Sequence, residues 1–301
     1  MNNRVIAAIV LYQPDMERLR ENIAAVKNQV DKVVLVINGL ESKDCVSEFR
    51  ASDDIDIIQN KKNAGIAHAL NQAMQYAQKN HYSWVLTLDQ DTVAPADLVE
   101  NLMKHQSCER IGIIAPDFID RNYYRISEEK TGWEYVLSCI TSGCLTNVPA
   151  WKDVGGFDDE MFIDYVDYDY CANLIEHGYG IIKDFDVKIL HEIGNSKRVY
   201  FGKYSIVVTN HSPMRKYYMA RNVFYYSKKW PKYKNVVPGK WEFLGTQLIG
   251  ILFFEKQKLK KLCAVFRGIK DSGKMIKRVN TKKRIELDEI REKTKQGDAS
   301  K

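Results

Sequence analysis

The sequence predicts an α/β protein: a mostly parallel, doubly wound sheet flanked by helices, continued by a basic helical extension. Three observations carry this. Short apolar runs alternate with segments of helical periodicity from the start of the chain. Several runs end in Asn, Gly or Asp, the residues that close strands where ligand-binding loops begin. Past residue 238 the alternation stops and the chain turns amphipathic and cationic.

Composition sets the outer bounds. At 301 residues, with 45 % hydrophobic and 28 % charged, the chain can bury a sizeable core as one domain or two. The organisation expected is one domain over residues 1–230 and an amphipathic basic region over 231–301. The longest apolar run, residues 248–254, is far short of the roughly 18 residues of a membrane span. The amino terminus enters a strand without the layout of a signal peptide. The six cysteines lack paired CxxC spacing, which predicts free, mostly buried thiols in a reducing cytoplasm. Net charge is +6, but residues 251–301 alone carry +9 and the remaining 250 sum to −3, so the basic character belongs to the tail.

The elements follow in order. Residues 4–12 form a continuous apolar run, as in a strand buried on both faces. Gln13-Pro14-Asp15 breaks it, and Asp15 can cap a helix over 16–28, where Leu19, Ile23 and Val26 recur at helical spacing. A second strand over 32–37 ends at Asn38-Gly39, and a third over 55–58 leads into the loop 59–65. A helix over 66–79 precedes the strand 83–88, which stops at Asp89-Gln90-Asp91. Beyond it the pattern predicts a helix over 96–105, a strand over 111–115 and a polar loop or exposed ribbon over 120–133. A site-lining strand over 136–148, a glycine turn over 153–159 and a helix through Leu174 come next. A strand over 180–190 then ends at His191, and residues 214–230 read as an aromatic, basic helix.

Four constellations besides the aspartate pair could carry chemistry. Asp89 and Asp91, two apart at a strand end, share a face, and carboxylates so close repel unless a cation sits between them. Mg²⁺ or Mn²⁺ bridging to phosphates fits that chemistry, and solvated turn aspartates are the plain alternative. Leu11-Tyr12, Asn38 and the loop from Asn60 through Asn63 to Gly65 close three successive strands, where base and ribose could sit, although Asn and Gly also serve ordinary turns. Asp164, Asp167 and Asp169 fall within six residues among aromatic rings, where burial raises a carboxyl towards use as a general base; one of the three can instead cap a helix. His191 at a strand end can be a further metal ligand or a structural imidazole. Lys203, His211, Arg215, Lys216 and Arg221 could meet a diphosphate or line a solvated helix face, and no RNA-binding motif accompanies them.

The ordered set resembles the inverting glycosyltransferases of family 2, whose nucleotide-sugar-binding arrangement is called GT-A. The likeness covers residues 5–230: Val10-Leu11-Tyr12-x-Pro14, then Asn38, then Asn60-x-x-Asn63-x-Gly65 with Asn71, then Asp89-Gln90-Asp91. Thr141-Ser142-Gly143-Cys144, Gly155-Gly156-Phe157-Asp158, Asp167-Tyr168-Asp169-Tyr170-Cys171 and His191 complete it. Within the family the chain is similar to bacterial rhamnosyltransferases through residues 162–167, His191-Glu192-Ile193-Gly194 and Tyr217-Tyr218-x-x-Arg221-Asn222.

The resemblance implies a dTDP-L-rhamnose donor, with a UDP-sugar as the alternative, and a saccharide or lipid-linked acceptor in bacterial surface polysaccharide synthesis. It implies a divalent metal, Mg²⁺ or Mn²⁺, on Asp91, Asp89 and His191. Leu11, Tyr12, Asn38, Asn60, Asn63, Gly65, Asp89, Ser142 and Gly143 would bind the donor. Asp167 would be the base, then Asp164, which stands in for the family's missing acid where this chain has Val166, with Asp169 alongside. A non-catalytic nucleotide- or glycan-binding module is the other class. A nucleotidyltransferase would need a glycine- and arginine-rich loop after the first strand, and no GxGxxG supports hydride chemistry. The tail has the composition of a helix lying on an anionic membrane, which predicts a cytoplasmic protein peripheral on the inner face of the plasma membrane, or of a helix packed with a solvated basic face.

Overall fold

The structure, a computed structural model, describes residues 4–39, 46–50, 52–120, 130–191, 197–201, 204–237 and 239–298. Its contacts divide the chain into two units, Met1–Ser196 and Lys197–Lys301. The helix expected to close the first domain, over residues 214–230, belongs by its contacts to the second unit.

The first unit runs β1 (Val5–Leu11), α1 (Met16–Val26), β2 (Lys32–Asn38), β3 (Ile55–Asn60), α2 (Ile66–Lys79), β4 (Trp84–Asp89) and α3 (Leu98–Met103). It continues with β5 (Ile111–Asp120), β6 (Trp133–Tyr135), β7 (Cys144–Asn147), α4 (Val148–Asp153), α5 (Val166–Glu176) and β8 (Gly180–His191). Eight strands form one sheet in the order β3-β2-β1-β4-β7-β5-β8-β6. β1 pairs in parallel with β2 and β4, β2 with β3, and β5 with β8, whereas β7 and β6 run antiparallel to their neighbours. The mostly parallel sheet expected from the sequence is therefore present, and β7 reverses its direction between the two parallel halves.

The physical basis is legible element by element. β1 is buried along its whole length because helices cover both faces of a parallel strand. Asp15 caps α1 by accepting from the backbone N–H groups of Glu17 and Arg18. Val5, Ile9, Leu35, Leu86, Leu145 and Ile189 join one core across the sheet. Register then places the carboxyl ends of four strands on one edge: Asp89 stands opposite Val10, Leu11 opposite Ile37, and Asn38 opposite Asn60.

One element departs from expectation. The long strand predicted over 136–148 shortens to Cys144–Asn147, and α4 follows at once. Gly143 sits at φ +77°, a left-handed turn that an extended strand cannot contain, and its N–H donates to the Thr87 carbonyl at 2.6 Å. The residues ahead of it curl past the end of β4 instead of pairing along it. Residues 121–129, most of the predicted ribbon, lie outside the described residues; its last residue, Trp133, begins the edge strand β6.

The second unit holds the hairpin β9 (Lys197–Phe201) and β10 (Tyr204–Val208), then α6 (Pro213–Lys229), α7 (Lys240–Phe253) and the 41-residue α8 (Lys258–Asp298). Ala220, Ile251 and Val265 centre its own apolar cluster. Gly268 is required there, because a Cβ would lie 2.4 Å from the Tyr217 carbonyl oxygen where α8 crosses α6. Among the described residues no helix is long and apolar enough to cross a membrane. Cys108, Cys139, Cys144, Cys171 and Cys263 are unbridged, and the middle three are buried.

Candidate active site

The site is built on the backbone of Asp89. Its N–H donates to Ser142 Oγ at 3.0 Å, and its carbonyl accepts from Asn22 Nδ2 at 2.8 Å and from the Thr92 N–H at 3.2 Å. Ser142 Oγ also lies 3.0 Å from Thr92 Oγ1, so β4 is clamped where it ends. Gln90 turns back, and its Oε1 accepts the Tyr12 N–H at 2.9 Å, tying the end of β1 to the aspartate motif. Asp89 is half-buried and Asp91 exposed.

Asn38, at the end of β2, is 3 % exposed. Its Nδ2 donates to Asn63 Oδ1 and to the Gly65 carbonyl, both at 3.1 Å. Its Oδ1 accepts from the Ala64 N–H at 2.9 Å and from Asn60 Nδ2 at 3.3 Å. The amide therefore organises the loop, and Asn60 is further locked to Gln72 by two 2.8 Å bonds. Leu11 is wholly buried in the core, so only its backbone can face a ligand, whereas Tyr12 is exposed.

That loop is stitched to the segment carrying the acidic cluster. Gly65 sits at φ +92°, and a Cβ there would lie 2.7 Å from both the Cα and the carbonyl oxygen of Phe162. The Ile66 N–H donates to the same carbonyl at 2.6 Å. Phe162, Asp164 and Tyr165 all adopt positive φ, at 63°, 63° and 67°. Such conformations cost on the order of 1–3 kcal/mol each for non-glycine residues and are held only where the surroundings enforce them. Here they set the carboxylates of Asp164 and Asp167 at the start of α5.

Asp167 is the focus. It retains partial access to water, yet protein rings it closely enough that burial pushes its carboxyl up to about 6. Its own backbone N–H pulls the other way, the charges of Asp89 and Asp164 add to the rise, and the Thr141 backbone N–H lowers it again. Asp89, at the end of β4, and Asp164, in the same segment as Asp167, thus both act on Asp167. Asp169, two positions on, is about 200° further round the helix and is 2 % exposed. It is part of the core side of α5.

Gly143 packs against Ile189, with Ser142 buried beside it. His191 ends β8 opposite Asp120, but its side chain lies outside the described residues. Of the five cationic-helix candidates, Lys203 also lies outside them. Lys216 is not a solvated cation: it is 2 % exposed and donates to Glu255 Oε1 at 2.7 Å and Gln247 Oε1 at 2.5 Å. Arg221 lies over the rings of Tyr217 and Tyr218, and burial pushes His211 down to about 4.

Sequence reasoning assigned no role to three contributors, of which Gln90 and Asn71 stood in the motifs it named. Asn22 falls in the apolar stripe of α1 between Leu19 and Ile23 yet is fully buried; a polar residue in a core stripe was the available signal. Gln90 sat in plain view inside the aspartate motif. Asn71 donates to the Phe157 carbonyl and Asp159, and accepts from Trp151 Nε1 and the Phe157 N–H. It holds the Gly155-Gly156 turn in place, where a Cβ on Gly156 would strike Asn71 Oδ1 at 2.8 Å.

Residues 8–142, spanning β1 to the clamp on β4, match the model of glycosyl transferase family 2. Within those residues, a little under half of the chain, lies a family 2 glycosyltransferase domain. The chain is 29 % identical over 248 residues to the dTDP-rhamnosyl transferase RfbF of Shigella flexneri, covering 76 % of the chain and 81 % of that protein. It is 25 % identical over 170 residues to a poly-beta-1,6-N-acetyl-D-glucosamine synthase of Staphylococcus epidermidis, covering 49 % of the chain and 40 % of that protein. Its fold resembles the solved structures of S. aureus TarS 1–349 and of GalNAc-T7 with UDP, GalNAc and Mn²⁺. TarS aligns with TM-score 0.57, 13 % identity and coverage of 89 % of this chain and 80 % of TarS. GalNAc-T7 aligns with TM-score 0.55, 12 % identity and coverage of 75 % of this chain but only 50 % of GalNAc-T7. The glycosyltransferase thus has the GT-A fold, with a helical carboxyl-terminal region.

Proposed function

We propose that this glycosyltransferase moves L-rhamnose from dTDP-L-rhamnose, with inversion, onto a saccharide or lipid-linked acceptor in bacterial surface polysaccharide synthesis. The observation that carries the chemistry is Asp167, a carboxyl held near neutrality beside Asp89 at the sheet edge. The donor sugar rests on the likeness to RfbF.

In this reading the ionised Asp167 accepts the proton of the acceptor hydroxyl as its oxygen attacks the anomeric carbon. The electron pair of the breaking bond leaves with the nucleoside diphosphate, and a single displacement inverts the centre. Tyr12, the Asn60–Gly65 loop and Asp89 would contact base and ribose, with Asn38 holding the loop and Ser142 and Gly143 shaping the floor. Asp164 stands second to Asp167 as base.

The donor set fits a hard divalent cation. Asp89 and Asp91 are hard oxygen donors of the kind Mg²⁺ or Mn²⁺ takes when phosphates complete its shell, and among the described residues no group of three or more His, Cys, Asp or Glu that could hold a metal ion is found. Asp91 and Asp89, with His191 as a further ligand, would hold it, and it would neutralise charge on the diphosphate. We place the reaction in the cytoplasm, at the inner face of the plasma membrane where an acceptor is lipid-linked.

The test is a thermal-shift panel of dTDP, dTDP-rhamnose and UDP-sugars, with and without Mn²⁺. A Mn²⁺-dependent rise with the dTDP ligands is expected. A rise with UDP species alone would replace the donor, a reading that the UDP-bound GalNAc-T7 likeness keeps in view. No rise with any of them in folded protein would favour a non-catalytic binding module.

A further inference from the structure

Glu255 is a buried anchor in the turn between α7 and α8. It is 3 % exposed, with Lys216 and Lys261 each donating to one of its oxygens at 2.7 and 2.8 Å. Everything on either side of it projects outward. Leu252, Phe253 and Phe254 precede it and Lys256, Lys258, Leu259 and Lys260 follow, all exposed, with Phe253 at 69 % and Leu259 at 79 %. On α8 the outward stripe continues through Cys263 and Phe266, the latter 60 % exposed, to Lys270, with Arg267 beside it. More than half of the exposed large hydrophobic side chains among the described residues fall between Trp241 and Phe266.

The charge of this surface is one-sided. Residues 252–278 contain nine Lys and Arg against two acids. Both acids are engaged within the unit: Glu255 as above, and Asp271 by Lys274 at 2.7 Å and by the Tyr217 hydroxyl at 3.1 Å. What faces outward is therefore aromatic and aliphatic tips interleaved with ammonium groups, at the turn between α7 and α8 and on the start of α8.

We propose that this turn docks on a bilayer surface rich in anionic lipid, with Phe253, Leu259 and Phe266 entering the headgroup boundary and Lys256, Lys258 and Lys260 meeting lipid phosphates. The interleaving favours this partner, since lysine stems can lie along apolar surface while their heads reach the phosphate level. A symmetric second copy is disfavoured, because self-pairing of the patch would set cation against cation. The inference rests on the second unit alone and is independent of donor and acceptor.

The test is co-sedimentation of the full-length protein with phosphatidylcholine vesicles and with vesicles carrying 30 % phosphatidylglycerol. Binding to the anionic vesicles should exceed that to neutral ones about tenfold or more and weaken with added salt. The pair Phe253→Ser with Phe266→Ser, and the triple Lys256→Gln, Lys258→Gln, Lys260→Gln, should each lose about tenfold or more. Exposed positions keep both variants foldable, which circular dichroism checks. The triple Lys27→Gln, Lys79→Gln, Lys104→Gln removes the same charge from the first unit and should bind as the parent does. Absence of vesicle binding, or equal loss in that control, would overturn the proposal. So would an aromatic pair that abolishes concentration-dependent dimers on sedimentation while leaving vesicle binding intact.

Discussion

Asp167 is pulled two ways: burial and the charges of Asp89 and Asp164 favour its neutral form, while the proposed role as general base requires the ion. Because its carboxyl is raised to about 6 in the folded protein from an ordinary 3.8, the native state holds the proton more tightly between those values. Stability contributed by the neutral form is complete at low pH and is lost as pH rises through about 6. Turnover should run the opposite way, climbing from pH 5 to 7 with a midpoint near 6 and then levelling, as kcat/KM against pH would report. Asp167→Asn should lower kcat by roughly 10²–10⁴-fold and leave dTDP binding in place. In metal-free buffer at pH 7.5 the same variant should melt higher than the parent, by on the order of 1 kcal/mol once solvent access is allowed for, and the gain should vanish at pH 4. Near-normal turnover by this variant would move the base assignment to Asp164.

At the scale of elements, two packed contacts carry distinct expectations. Gly65 combines a left-handed backbone with the closest approach of the Asn60–Gly65 loop to Phe162. Gly65→Ala should destabilise by about 2–3 kcal/mol in urea unfolding, through strain and a shift of the 162–165 segment, and should weaken dTDP binding as well. In the second unit, burial alone would push the Glu255 carboxyl up, but the hydrogen bonds from Lys216 and Lys261 more than offset this and hold it below its ordinary value. Its stabilising contribution is therefore present above the ordinary carboxylate range and is lost as pH falls through the depressed value. Glu255→Gln leaves two buried ammoniums short of a counter-charge and should cost about 3–5 kcal/mol, measured as a lower melting temperature at pH 7.

For the whole molecule, the two units have separate apolar clusters. Amide hydrogen exchange should therefore separate their responses. dTDP with Mn²⁺ is expected to slow exchange at the ends of β1, β2 and β4, and Glu255→Gln to speed it in α6 through α8. Uniform acceleration across β1–β4 in Glu255→Gln would show that the sheet depends on the second unit.

By itself the sequence determined the alternation of strand and helix, the strand ends at Asn38 and Asp89, a third strand that the structure extends by two residues to Asn60, and the acidic segment around the start of α5. These follow from local chemistry: apolar runs, Asn and Gly turns, and carboxylates at period two. It determined the segregation of positive charge into the tail as well. Only the tertiary structure decided the strand order, with β7 reversed beside β4, because pairing partners are chosen by long-range packing that no local pattern encodes. It decided that Asn38 and Asn71 brace loops, that Asn22 holds Asp89, and that Lys216 is a core residue. Each of those side chains reads as polar and solvent-seeking until a neighbour tens of residues away supplies its hydrogen-bond partner. And it closed protein around Asp167 and brought Asp89 within electrostatic reach of it; burial first, and the charges of Asp89 and the neighbouring Asp164 after it, raise a carboxyl on α5 towards neutrality.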